Sequence, residues 1–484
     1  MLSTTVALIA PAPASAELVN PPSPDWGLAQ LLPSNSMNNW DSLGFAVEYS
    51  DGLVIVGGRF GQLTNGAQSI SQPYLAAFDA TTRNAVTWWR PSVNNTVLAL
   101  EKSNDGGLFV GGDFSQYNGV NVGAFQKIDP KTGNAWPGWK TRIYGGSSTV
   151  RDIRLETDGW LYVVGSFTTA TEGNGPISVN GAIRMNPQTG AIDWSWRPQP
   201  AGGSVWGVAR SQTTNEVYLA GWFTSMNGNG FARGFAGVSS SNAALLHTRG
   251  AIPYNTFVGN TSYHRLYDVV ATTAGDVWVG GEQHGLFVLD ETRNLAFEEM
   301  HYTGCNINYQ INCTRGGGEF QEIEVIGNRV YATCHCWGSH MSANNTIYYG
   351  ASQPALGAYT YTGSVSGIAA YDINSHDRIQ SFNPYMSGDA GGFGIVGTPD
   401  GCVWVTGGFD SFGVPGTQRA ARDLVRLCDQ AGPGPLGESA PKPPAPTSCQ
   451  VTLAANGSSV TVTFNVPSQA TDVVIERDQQ RQQL

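Results

Sequence analysis

Charge is scarce in this chain. Asp, Glu, Lys and Arg make up 13% of its 484 residues, well below the usual quarter, and the balance is acidic at -11. No cluster of Lys and Arg is present to neutralise phosphates, which argues against nucleic acid as a partner. No basic amphipathic stretch suits an anionic membrane surface. Long apolar runs are missing too: none reaches the roughly 18 residues of a membrane-spanning helix, so no membrane insertion is expected. Neither H-E-x-x-H nor G-x-S-x-G occurs, and His247, His264, His284, His301, His335, His340 and His376 are scattered. No catalytic residue can be assigned from motifs, although a site assembled from several repeats would leave none. The basic start of an export signal is also absent. Val6–Ala10 is nevertheless apolar and Ala14-Ser15-Ala16 has the small-x-small form of a cleavage site. Residues 1–16 are therefore read as the remnant of a signal peptide.

What the chain has in quantity is Gly, 61 residues of it, and a short phrase that returns seven times. LVIVGGRF (Leu53–Phe60), LFVGGDF (Leu108–Phe114), WLYVVGSF (Trp160–Phe167), VYLAGWF (Val217–Phe223), VWVGGEQ (Val277–Gln283), VYATCHCW (Val330–Trp337) and VWVTGGF (Val403–Phe409) align on one slot. That slot holds Gly58, Gly112, Gly165, Gly221, Gly281, Cys334 and Gly407, in steps of 54, 53, 56, 60, 53 and 73 residues. Four strand signals fit each repeat, as in Val97–Leu100, Leu108–Gly111, Ala124–Asp129 and Trp136–Trp139, joined by turns such as Asp105-Gly106-Gly107 and Asp129-Pro-Lys-Thr-Gly133. A β unit of this length suits one propeller blade, and a blade buries its faces only against neighbours. The expected fold is all-β: a seven-bladed β-propeller over residues 17–431. Trp88, Trp89, Trp136, Trp139, Trp194 and Trp196 recur at one place per repeat and are read as inter-blade packing.

The last repeat shows three strands before Gly432-Pro-Gly-Pro ends it, so a fourth is expected from near Trp26–Leu32 or Trp40, closing the ring and hiding two sheet edges. Residues 432–447 form a Pro-rich linker. In residues 448–484 the segments Cys449–Leu453, Val460–Val466 and Asp472–Glu476 alternate as strands. Their Pro lead-in and three strands resemble the start of a fibronectin type III β-sandwich, of which about half is expected here.

The seven Cys residues support export and invite disulfides. A hairpin centred near Pro415 sets Cys402 opposite Cys428. Cys305 and Cys313 precede repeat six, and Cys334 and Cys336 end its second strand on the same face. Pairing of 305 or 313 with 334 or 336 is preferred, with the connectivity open; a Cys305–Cys313 bridge is the alternative. Cys334 and Cys336 with His340 could instead bind zinc. Successive strand residues point apart, which sends His335 away from the cysteines. Repeat six also carries the longest insertion, Gly338–Ser366, where Trp337, Tyr348, Tyr349, Tyr359 and Tyr361 form a candidate ligand-binding surface suited to a glycan. Glu319, Glu322 and Glu324 are acid/base candidates or simply the acidic face of one strand. Asp113, at the end of its strand, has Arg59, Ser166, Trp222, Glu282, His335 and Gly408 as counterparts and so is no repeated ligand.

The stretch VGGDFSQYNGVNVGAFQKIDPKTGNAW (Val110–Trp136) resembles the delta-60 repeat of propellers in secreted bacterial proteins, and repeats two and three match it best. The resemblance spans about Gly44–Asp429 and implies fold and surface location, without an established chemistry. Asp129–Trp136 and Asn186–Trp194 also resemble the repeats of quinoprotein dehydrogenases, but those rings have six or eight blades, and no cofactor residue carries over. The sequence therefore reads first as an exported, non-enzymatic, monomeric propeller for adhesion or for glycan or surface-protein binding, outside the cell or at its surface, with no cofactor. The alternative is an enzyme on the same ring, either a quinoprotein-like oxidoreductase using quinone and calcium or a carbohydrate-active hydrolase or lyase.

Overall fold

In the computed structural model, strands joined by tight turns account for nearly all the regular structure, and among the described residues there is no helix. The described residues are 23–24, 30–32, 42–428, 448–453 and 460–465, except 66–67, 174, 250–251, 253–264, 282–284, 291, 293–294, 304–313, 316–318, 345–359, 380–381, 383, 389 and 414–417.

Each repeat folds as an antiparallel blade whose first strand lies innermost. These inner strands are Leu43–Ser50, Val97–Lys102, Arg142–Leu155, Ser204–Arg210, Leu266–Ala271, Phe320–Ile326 and Gly391–Gly397. Each lies against the next, and the seventh lies against the first, so seven blades close one ring. The recurrent phrase is the second strand of every blade, paired with the inner strand on one side and the third on the other. Apolar clusters fill the wedges between blades. One combines Leu53, Ile55 and Trp89 of the first with Val97, Leu108 and Val110 of the second.

The Trp slot ties blade to blade. Trp89 is buried and donates Nε1–H to the carbonyl of Pro130, in the Asp129 turn of blade two (2.8 Å). Trp196 repeats this contact from blade three to Ser239 of blade four (3.0 Å). Lys127 is 0% exposed and reaches from blade two to the Pro187 carbonyl of blade three (2.7 Å), with its charge met by Asp105 at 2.5 Å. Phe109, Trp136 and Trp139 surround its ammonium.

The strand that completes blade seven lies just ahead of the expected segment. Ser23–Pro24 pairs with Leu427 and Cys428, while Gln30–Leu32 pairs with Gln62–Asn65 of blade one. A Pro suits this outermost position, where one side of the strand needs no N–H donor. Cys402, buried beside this seam, is bonded to Cys428 with a Cα–Cα distance of 4.3 Å.

Blades five and six merge. The second strand of blade six, Arg329–Asn344, runs past the ring, and its far half pairs with Thr360–Asp372 on one side and Leu295–Thr303 of blade five on the other. The stem of the long insertion is thus a sheet built onto blade five. Cys334 is bonded to Cys336, which corrects the preferred pairing with Cys305 or Cys313; those two lie outside the described residues. Side chains at i and i+2 share a face, and the register shift between Thr333 and Trp337 draws these two Cα atoms to 5.1 Å. Farther along, Ser448–Leu453 and Val460–Asn465 form an antiparallel hairpin, and the third strand expected there, 472–476, lies outside the described residues.

Candidate functional site

The repeated Gly slot has a steric cause that leads to the site. In every blade the inner strand carries a register shift near its start. One residue is left unpaired (two in the last blade), and the strand bends toward its partner. The carbonyl before the bulge then presses on the second strand. A Cβ at Gly58, Gly112, Gly165, Gly221, Gly281 or Gly407 would overlap the carbonyl oxygen of Leu43, Thr96, Thr149, Ser204, Arg265 or Gly391, respectively. The Gly that marks each repeat is therefore the imprint of a bulge.

The bulge turns one side chain per blade into the axial channel. In order around the ring these are Phe45, Leu98, Arg151, Trp206, Tyr267, Gln321 and Phe393, each half-buried and each lining a cavity of about 330 Å³. Trp206 and Tyr267 stack with ring centroids 4.9 Å apart, the Arg151 guanidinium lies 4.7 Å from the Trp206 ring, and Phe45 meets Phe393 edge-on at 5.1 Å. Burial lowers the Arg151 pKa, and nearby Asp113 works against that. Asp113 itself accepts a bond from Thr149 Oγ1 (2.5 Å).

Below this mouth the lining becomes acidic. Asp152, Asp268 and Glu322 follow their bulges directly, and two residues farther along lie Glu48, Glu101, Arg154 and Glu324. Six carboxylates from five blades thus face one guanidinium. Arg154 Nη1 donates to Glu324 Oε2 across the channel (2.8 Å), and the same head lies 3.4 Å from Asp152 and 3.6 Å from Asp268. Burial opposes its charge, but Asp152, Glu324, Asp268 and Glu322 together hold it well above its ordinary value. Burial pushes Glu48 and Asp268 up to about 7 and raises Asp152, Glu101 and Glu322 as well.

Several of these groups also fasten the ring. Asp152 accepts from Val208 N of blade four (2.9 Å), Asp268 from Ile323 N of blade six (2.8 Å), and Glu101 from Leu155 N of blade three (3.0 Å). Each satisfies an inner-strand amide that the bulged pairing leaves facing its neighbour.

Of the residues singled out in the sequence, Glu322 and Glu324 line the channel, while Glu319 lies 3.5 Å from His335. Tyr348, Tyr349 and Tyr359 lie outside the described residues, as do Cys305 and Cys313; for Trp337, His340 and Tyr361 the backbone alone is described. Of the zinc candidates, Cys334 and Cys336 have their sulfurs bonded to each other, and the side chain of His340 lies outside the described residues. Among the described residues no group of three or more His, Cys, Asp or Glu is placed to hold a metal ion. Glu48, Glu101, Asp152, Arg154 and Asp268 were missed in the sequence. The available signal was a charged residue on the first strand of repeats one, two, three, five and six, a few positions before the turn that opens the recurrent phrase.

Fold and site together define the class: a seven-bladed β-propeller with an aromatic channel mouth over a carboxylate-lined interior. A solved structure, the WD40 β-propeller domain of Doa1, aligns with 84% of this chain and 98% of its own at 10% identity and a TM-score of 0.43. No family model and no curated protein matches the chain. Among the described residues no helix is long and apolar enough to cross a membrane.

Proposed function

We propose that this protein is an exported, non-catalytic binding propeller of the adhesion type, which engages a surface protein or glycan at the mouth of its channel. The observation that carries this reading is the convergence of seven bulged side chains, one from each blade, on a single opening. Trp206, Tyr267, Phe45 and Phe393 give that opening aromatic surface, and Arg151 and Gln321 supply donors. Rigid aromatics with a few placed polar groups bind at low entropic cost. The insertion stem of blade six extends from the same face, since it prolongs the second strand beyond its bulge-contacting Cys334. Trp337, Tyr348, Tyr349, Tyr359 and Tyr361 are proposed as further contacts there. The delta-60 resemblance and the buried cysteine bridges support export.

A hydrolytic reading draws on Glu322, whose pKa burial raises in the direction a general acid needs, beside Glu324 and Glu48. Arrayed surface glycans and extracellular proteins, probed with the wild type and with a Trp206→Ala/Tyr267→Ala variant, separate the two. The binding reading expects a captured partner that the variant holds at least about tenfold more weakly. Undiminished capture by the variant overturns the mouth as the site. Turnover of a captured glycan, abolished by Glu322→Gln, establishes the enzyme instead.

A further inference from the structure

We propose that the groove between blades three and four is a saccharide subsite, separate from the channel, for an uncharged pyranose-containing glycan stacked on Trp222. Trp222 ends the second strand of blade four, at the slot filled elsewhere by Arg59, Asp113, Ser166, His335 and Gly408, so blade four alone among these presents a large aromatic there. It is 41% exposed, an unusual state for a Trp in a ring whose other large aromatics are mostly packed away. From the side of blade five the Arg265 guanidinium lies 4.5 Å from its ring; toward blade three the groove opens, with a volume of about 400 Å³.

The groove is lined by small hydroxyl and amide side chains, Ser147, Ser166, Thr168 and Asn180, and by no Asp, Glu, Lys or Arg. That chemistry selects a neutral, hydroxyl-rich ligand over an acidic sugar, a phosphate or a basic peptide. Among the described residues the Trp222 indole N–H and the Ser166 and Thr168 hydroxyls make no hydrogen bond within the protein, so they are open to a ligand. Asn180 already donates to Gln199 Oε1 (2.6 Å), which leaves its carbonyl oxygen as an acceptor. The apolar face of a pyranose packs on an indole while its equatorial hydroxyls meet the groove walls.

The platform is held rigidly. The loop entering blade four pairs Pro200 with Met226 and Ala201 with Ser225, and Thr224 N donates to the Ala201 carbonyl (2.8 Å). Gly203 lies so close that a Cβ there would overlap the Trp222 carbonyl oxygen. The backbone that carries Trp222 is therefore fixed before a ligand arrives, which lowers the ordering cost of binding.

The test is titration calorimetry and saturation-transfer NMR of the full chain with neutral gluco-, manno-, galacto- and xylo-configured pentasaccharides. Binding of at least one is expected. Trp222→Ala should weaken it at least about tenfold, while Trp222→Tyr stays within about threefold. Thr168→Arg, at an exposed position, should block the groove without disturbing the core, which guards against a Trp222→Ala that fails to fold. The proposal is overturned if no pentasaccharide binds, or if Trp222→Ala and Thr168→Arg bind like the wild type. Sugar binding lost in Trp206→Ala but kept in Trp222→Ala would also overturn it, leaving the channel mouth as the binding site.

Discussion

The slots that hold the blades together and the slots that face the channel obey opposite rules within this one chain. Where blades lock, residue type repeats: Gly at six of seven phrase slots, Trp89 and Trp196 donating to the next blade's turn, Lys127 and Arg184 in matching cation positions over Trp rings. Where blades face the axis, residue type varies: Phe, Leu, Arg, Trp, Tyr, Gln and Phe succeed one another, and the two Phe of blades one and seven are the one matching pair of neighbours. The geometry at both places is equally regular, since every blade has its bulge. Repetition therefore marks packing constraints, and divergence on a repeated geometry marks the surface left to recognition.

That contrast can be broken most sharply at Gly165. Gly165→Val drives a side chain into the Thr149 carbonyl and should cost about 4 kcal/mol or more. Trp206→Ala, a larger change at a channel slot, should shift stability by only about 1 kcal/mol. Denaturant unfolding of both variants measures the difference, and equal losses would erase the distinction.

A smaller effect is expected at the outer lock. Asp105→Ala strands the Lys127 ammonium, which is 0% exposed, and should cost about 3 kcal/mol. Lys127→Met should cost less, because Asp105 keeps access to water and the apolar chain remains among Phe109, Trp136 and Trp139. The ranking of the two midpoints checks this, and a costlier Lys127→Met would contradict it.

The gentlest probe is pH. Burial raises Glu48 from 4.5 and Asp268 from 3.8 to about 7 in the folded protein, so between those values the folded chain binds more protons than the unfolded one. Their contribution is fully present below the unfolded values and is lost as pH rises through about 7. The melting temperature should therefore fall from pH 5 to pH 8, and Glu48→Gln should flatten that slope. Asp105 and Asp193, held below the ordinary carboxylate value despite partial burial by bonds to Lys127, Arg184 and Ser195, act in the opposite sense below about pH 4. A melting temperature that rises toward pH 8 would show the channel carboxylates to be ionised and compensated.

Much of the ring was legible because blade packing writes itself into the repeat. The Gly spacing counted seven blades, the Asp-x-x-Thr-Gly turns placed the third strands, and the absent fourth strand of the last repeat called for an N-terminal one. The segment supplying it was misplaced by a few residues, because Ser23–Pro24 is too short and too polar to stand out as a strand. The sixth repeat drew attention through its insertion and its Cys-His-Cys, yet its described contribution to the channel comes from Gln321, Glu322 and Glu324 on a plain inner strand.

The sequence by itself determined the number of blades, the all-β architecture and the hairpin that sets Cys402 against Cys428, since all of these depend on local period and turn chemistry. Tertiary structure alone decided which side chains meet. Arg154 and Glu324 stand 170 positions apart, and nothing in either strand announces the other. They touch because closing the ring brings all seven inner strands to one axis, where a bulge in each strand fixes which residue looks inward.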